Sequence, residues 1–238
     1  MGRTILLDPG HGGRDPGAVG PNNRLEKDDN LRFALALRPR LQQQGFSVMM
    51  SRTTDVFITI DDRVRMANTQ NVDTFLSIHR NGFHDPQAHG AEMVVGPSAT
   101  PTEMALATTL LDEVRLVGAH RIRGIPRKNK GVLRDTRMPA VMTEIGFVTN
   151  AEDNRLFDLH FDAHIEAITR GLCIFHGVPY SPPGATEPLP PRQLARIQLG
   201  AFTWPGNEAG ARGALAAIQA IPGLEDAWLV IPDTEPED

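Results

Sequence analysis

The sequence predicts an α/β fold: a single, mainly parallel twisted sheet with helices on both faces, followed by a small α+β C-terminal appendage. Two observations carry this. Short apolar runs bounded by turn residues alternate with stretches of helical period, the pattern of a sheet covered on both sides. Three of those runs also end in a residue suited to metal binding or proton transfer. Residues 5–7 lead through Asp8, Pro9 and Gly10 to His11, residues 74–78 lead to His79, and residues 140–143 lead to Glu144. Open α/β sheets place their ligands beyond strand ends, so three such tips point to one catalytic site.

Composition narrows the classes. Of 238 residues, 40% are apolar and 22% charged, which is ordinary for a globular chain. A net charge of −5 provides no basic footprint for nucleic acid and no general attraction to anionic polymers. The apolar runs are too short to span a bilayer, and the lone Cys173 can form no intrachain disulfide. The first strand begins within five residues of Met1 with no export signal before it. The expectation is a protein that stays cytoplasmic until lysis, or a secreted one already trimmed.

Taken in order, residues 12–23 form a loop rich in Gly, Pro and Asn. A helical pattern follows Glu26 to about Gln44, with Leu31, Ala34, Leu37 and Leu41 on one face and Gly45 as its C-terminal cap. Pro39 lies inside it and predicts a kink or an early stop, because proline has no backbone donor. Residues 46–51 read as a strand leading into Arg52, and Ile60, Val64 and Ala67 mark a short helix before the strand that ends in His79. Residues 91–95 are a further strand. Thr100, Pro101 and Glu103 have capping-box spacing and open a helix that carries Met104, Ala107, Leu111 and Val114 inward. Residues 121–139 look irregular, with five basic residues from Arg123 to Arg134: Arg123, Arg127, Lys128, Lys130 and Arg134. After the strand to Glu144, Ile165, Ile168, Leu172 and Phe175 mark the closing helix of a domain spanning 1–177.

Two histidines and a carboxylate are one ligand set of catalytic zinc, which keeps a position open for water. His11, Glu26 and His79 are the candidates, with His84 and His89 close enough in sequence to stand in for His79. Such a water has its pKa lowered to ~7. A carboxylate off the metal then takes its proton and passes it to the leaving group, a role that suits Glu144. Each residue also has a plainer reading: a histidine after a strand is more often structural, and Glu26 suits the first turn of a helix. Glu144 resists that reading, since an unpaired buried carboxylate is costly. Spacing alone leaves the two readings level.

A resemblance separates them. From Leu7 to about His176 the chain resembles the zinc-dependent N-acetylmuramoyl-L-alanine amidases of the Amidase_3 family. The matching stretches begin with Asp8-Pro9-Gly10-His11-Gly12-Gly13, Asp15-Pro16-Gly17-Ala18 and Leu25-Glu26-Lys27-Asp28. Next come Arg63 with Ala67-Asn68, Ser77-Ile78-His79-Arg80-Asn81, Gly90-Ala91-Glu92, Arg123-Gly124 and Val132-Leu133-Arg134. The last is Pro139-Ala140-Val141 running into Glu144-Ile145-Gly146-Phe147 and Asn150. The resemblance implies one Zn2+ per chain on His11, Glu26 and His79, with Glu144 as the catalytic glutamate. It also implies peptidoglycan as substrate, cut between N-acetylmuramic acid and the L-alanine of the stem peptide. Pro39 and Arg80 depart from the family pattern, and Arg80 is expected to alter substrate contacts. Asn81, Arg80, Glu92, Arg123 and Arg134 are the expected substrate-binding residues, with Arg127 and Lys128 helping to hold the acidic stem peptide. Some relatives carry an inserted helix that plugs the site. Residues 92–102 leave no room for one, so an open site is expected. The alternatives are a zinc peptidase or deacetylase acting on wall material, and a non-catalytic wall-binding protein.

Residues 178–192 contain six prolines and read as an extended linker. Beyond it, Arg196-Ile197-Gln198-Leu199-Gly200-Ala201-Phe202, Asn207 and an Ala-rich helix resemble the opening of a peptidoglycan-binding SPOR domain. A half-formed sheet would expose an edge strand, so a homodimer through residues 193–238 is a further expectation.

Overall fold

The computed structural model describes residues 2–183. Six strands form one sheet in the order β2-β1-β3-β6-β4-β5. They are β1 (Thr4–Pro9), β2 (Ser47–Met50), β3 (Thr74–Asn81), β4 (Ala91–Val94), β5 (Ile122–Gly124) and β6 (Ala140–Phe147). Neighbours run parallel except β4 and β6, which are antiparallel and pair Glu92 with Glu144. The helices are α1 (Glu26–Gln43), α2 (Ile60–Thr69), α3 (Pro101–Val117), α4 (Gly131–Arg134), α5 (Ala151–Leu159) and α6 (Phe161–His176).

Side chains alternate across a strand, and here the alternation builds two cores. Ile5, Leu7, Leu76, Ile78, Val141 and Ile145 face α1, α3 and α6, where Phe33, Leu37, Leu110, Ile168 and Leu172 close over them. Leu6, Phe75 and Met142 face the other way, under Ala67 of α2 and Val132 and Leu133 of α4. Leu37, Leu76 and Leu172 are wholly buried, worth about 1.5–3 kcal/mol each over the exposed state. The site lies where strands β1, β3 and β6 end side by side.

Helix α1 continues through Pro39 to Gln43, so the early stop, one of the two expected effects of that proline, does not occur. Pro39 sits on the exposed face, where water can satisfy the carbonyl it leaves free, while Leu37 and Leu41 beside it are fully buried. Packing of that face outweighs one lost hydrogen bond. The capping box of α3 forms as expected, with Thr100 Oγ1 accepting from Glu103 N and Glu103 Oε2 accepting from Thr100 N at 2.7 Å. The region 121–139 is less irregular than its composition suggested, since it contains β5 and α4. The start of the Pro-rich stretch is fastened rather than free. Tyr180 Oη donates to Glu166 at 2.5 Å, and Ser181 N donates to Gln44 Oε1 at 2.7 Å. Residues 184–192 and the SPOR-like segment 193–238, with the dimer expected through it, lie outside the described residues. No described helix is long and apolar enough to cross a membrane.

Candidate metal centre and active site

Strand β1 ends in Asp8-Pro9-Gly10, and the chain turns so sharply that His11 adopts φ +61°, a conformation rare outside glycine. Gly10 is needed here for space: a Cβ on it would lie 2.1 Å from Cε1 of His79. Asp15 Oδ2 holds His11 Nδ1 at 2.8 Å, leaving Nε2 to face Glu26 Oε2 at 3.2 Å. Glu26 opens α1, where the helix dipole favours a carboxylate. Its Oε2 also accepts from Ala18 N at 2.9 Å, and its Oε1 lies 2.8 Å from His79 Nδ1. His79 reaches this point from β3, in register beside Glu144 on β6.

Three donor atoms from His11, Glu26 and His79 thus lie within 4.8 Å of one another. The electrostatics suit a cation. Burial would raise the pKa of Glu26, yet the two imidazoles hold it well below the usual carboxylate range. Burial would lower that of His11, yet Glu26 and Asp15 push it up to about 9. The donor set fits catalytic zinc, and Asp15 on the far nitrogen of His11 matches the carboxylate that orients a ligating imidazole. His84 and His89 are not part of this cluster: His84 lies tilted against Phe83, and His89 is bonded to Gln87 O.

Glu144 is 7% exposed, and its Oε2 has no hydrogen-bond partner among the described residues. Burial pushes its carboxyl up to about 7 against the attraction of His79, which suits proton transfer near neutrality. These groups open into a cleft of ≈ 690 Å³ with one apolar wall, formed by Phe57, Ile58 and Ile60.

The expected substrate contacts divide. Asn81 lines the cleft and donates to Glu92 Oε1 at 3.1 Å. Glu92 also accepts from Arg123 Nε at 3.1 Å and from Lys128 Nζ, so three donors surround a carboxylate that is 4% exposed. Arg134 is paired with Asp135, and Arg127 donates to the carbonyls of Pro97 and Ala99. Arg80, expected to alter substrate contacts, borders the cleft, but its side chain is buried on the face of the sheet opposite His79. One residue past His79, it points the other way, bonding Asp29 at 2.7 Å and Asn154 at 2.9 Å and lying 4.0 Å over the Phe157 ring. Three features had no role in the sequence reading: Asp15, the apolar wall, and Lys130. Among the described residues Lys130 pairs with no carboxylate, and it lines the cleft. The signals available were the spacing of Asp15 four residues after His11, its place in a matching stretch, and the position of Lys130 in the basic stretch.

A family profile described as N-acetylmuramoyl-L-alanine amidase, Amidase_3, matches residues 5–173. The chain belongs to this family. With the family comes the activity, cell-wall amidase action on the bond between N-acetylmuramic acid and L-alanine. The sporulation-specific N-acetylmuramoyl-L-alanine amidase of Bacillus subtilis (strain 168) is 35% identical over 206 residues, 85% of this chain and 76% of that relative. The probable cell wall amidase LytH of Staphylococcus aureus is 35% identical over 74% of this chain, which spans only 59% of its length. Among solved structures, the N-acetylmuramoyl-L-alanine amidase from Clostridium difficile 630 superposes with a TM-score of 0.71 at 35% identity, covering 74% of this chain and 97% of that one. The catalytic domain of CwlV from Bacillus (Paenibacillus) polymyxa var. colistinus gives 0.69 at 31% identity, covering 74% of this chain and 99% of its own. Both agree with the single mixed sheet described above.

Proposed function

We propose that this amidase works with one zinc ion held by His11, Glu26 and His79, and that Glu144 is its general acid and base. A zinc ion bound there supplies a Lewis acid for the scissile carbonyl and a water of lowered pKa. The chain's own residues do the rest. Asp15 keeps the Nδ1 proton of His11 on its own side, so that Nε2 is free to ligate. Glu144, with one oxygen unpartnered, accepts the proton of the attacking water and delivers it to the departing L-alanine nitrogen. The wall of Phe57, Ile58 and Ile60 offers an apolar surface to the sugar and lactyl faces of peptidoglycan. With Arg123, Lys128 and Arg134 paired to protein carboxylates and Arg127 bonded to the Pro97 and Ala99 carbonyls outside the cleft lining, Lys130 is the cleft-lining cation placed to meet a carboxylate of the stem peptide. The connection from Val94 to Pro101 is short and carries no helix, which supports a site open without an activating partner.

The observation carrying this reading is the convergence of three ligand atoms beside a buried carboxylate with no partner. Mass spectrometry of peptides released from purified peptidoglycan tests it. Stem peptides with a free L-alanine amino terminus are expected, lost with a chelator or with Glu144→Ala and restored by zinc to the chelated wild type. Cleavage within the peptide, or deacetylated glycan, would point to the peptidase or deacetylase instead. Release that survives both treatments would refute the mechanism.

A further inference from the structure

Arg52, just past the end of β2, is 3% exposed and has no carboxylate within ion-pair distance among the described residues. Its four hydrogen bonds all go to main-chain carbonyls. Nε donates to Pro9 O at 2.9 Å, Nη1 to Thr54 O at 3.2 Å, and Nη2 to both Gly10 O at 2.9 Å and Lys27 O at 2.8 Å. The nearby Arg63 takes the anion instead: its Nη1 pairs with Asp8 Oδ1 at 2.5 Å, and its Nη2 caps His11 O at 2.7 Å. A buried guanidinium without an anion is expensive, so its place needs an explanation other than charge pairing.

The explanation lies in which carbonyls it holds. Gly10 and Lys27 are the chain neighbours of His11 and Glu26, and a single nitrogen of Arg52 ties their two carbonyls together, where the longer 3.3 Å bonds of Asn30 Nδ2 to Gly10 O and Glu26 Oε1 and the Lys27 Nζ bond to Gly13 O also link the two segments. His11 is in a left-handed conformation, a strained state that persists only where its surroundings hold it. We infer that Arg52 is a positioning residue that sets the distance between His11 and Glu26, and through it the affinity of the site for its divalent cation. The inference rests on the zinc reading above.

Charge and geometry predict opposite signs here, which makes the role testable. A buried cation behind a cation site repels the incoming ion, so on electrostatics alone Arg52→Met would bind zinc more tightly. On geometry it binds more weakly. Zinc affinity is read by competition against a chromophoric chelator, on chains shown folded by near-UV circular dichroism. The expected result is at least a tenfold loss for Arg52→Met, about 1.4 kcal/mol. A smaller loss is expected for Arg52→Lys, which keeps the charge and one or two carbonyl contacts. Leu172→Ala, which opens a cavity in the core under α6, controls for general loosening and should keep wild-type affinity. If Arg52→Met fails to fold, Arg52→Lys carries the test. Unchanged or tighter binding in the arginine variants, or an equal loss in Leu172→Ala, overturns the assignment while the amidase stays a zinc enzyme. A wild-type chain that binds no zinc overturns the metal reading, and this assignment with it.

Discussion

Replacing Glu144 with glutamine separates the electrostatic cost of that carboxyl from its chemistry. Burial moves its pKa from 4.5 to about 7 in the folded chain. Unfolded, the group ionises freely above 4.5, whereas the folded chain resists until about 7. Its contribution to stability is therefore full below pH 4.5 and is lost as the pH rises through 7. At ~1.4 kcal/mol for each tenfold change, the full displacement is worth ~3 kcal/mol. About a quarter of that is already spent at pH 5, where most unfolded molecules have ionised. Glutamine bears no charge at any of these pH values. Zinc-stripped Glu144→Gln should thus exceed zinc-stripped wild type by about 2–3 kcal/mol more at pH 8 than at pH 5. His11, raised to about 9, stabilises the fold below its unfolded pKa of 6.5 and loses that stabilisation as the pH climbs toward 9. It does so in both chains, so it cancels from the difference. Urea unfolding with a common slope reads the quantity directly. The zinc-loaded variant should meanwhile lose about 10²- to 10⁴-fold in wall hydrolysis, the range for a missing general acid and base. A stability difference that does not change with pH would refute the buried, unpaired carboxyl. Near-normal hydrolysis would refute its role.

Arg80→Met should lower stability by about 2–3 kcal/mol in thermal or urea unfolding. This is below the usual cost of breaking a buried pair, because Asp29 keeps Arg24 as a partner at 2.7 Å. KM of the folded variant should not move, and a raised KM would show that Arg80 is a substrate contact. Lys130→Ala should raise KM for muropeptides with a free stem-peptide carboxylate and leave KM for amidated ones alone. An equal effect on both would show that Lys130 reads no charge. Removing zinc with a chelator should lower the melting temperature of wild type and leave that of a His79→Ala chain unchanged, and equal losses would place the ion elsewhere.

The residues of the centre were legible because strand-end chemistry is local. His11 follows a turn made of Asp8, Pro9 and Gly10, and His79 and Glu144 each end an apolar run, so pattern alone brings them to one edge of a sheet. Arg80 was legible in principle too, since alternation along β3 sends it to the face opposite His79, and proximity in sequence was the wrong guide. Helix α1 shows the reverse case. Pro39 is a local breaker, and what carried the helix past it was the burial of Leu37 and Leu41 against a sheet the local sequence does not describe. The basic stretch from Arg123 to Arg134 depended wholly on tertiary contacts. Glu92 comes from β4 and draws in Arg123 and Lys128, while Lys130 is left facing the cleft. Which cation is spent and which is free depends on distances of a few ångströms between remote segments, and no spacing along the chain encodes those. The sequence by itself determined the chemistry at the strand ends, since each tip is a short-range pattern. Only the folded chain decided the geometry that Arg52 holds between His11 and Glu26, because a hydrogen bond to a carbonyl leaves no mark on the residue that accepts it.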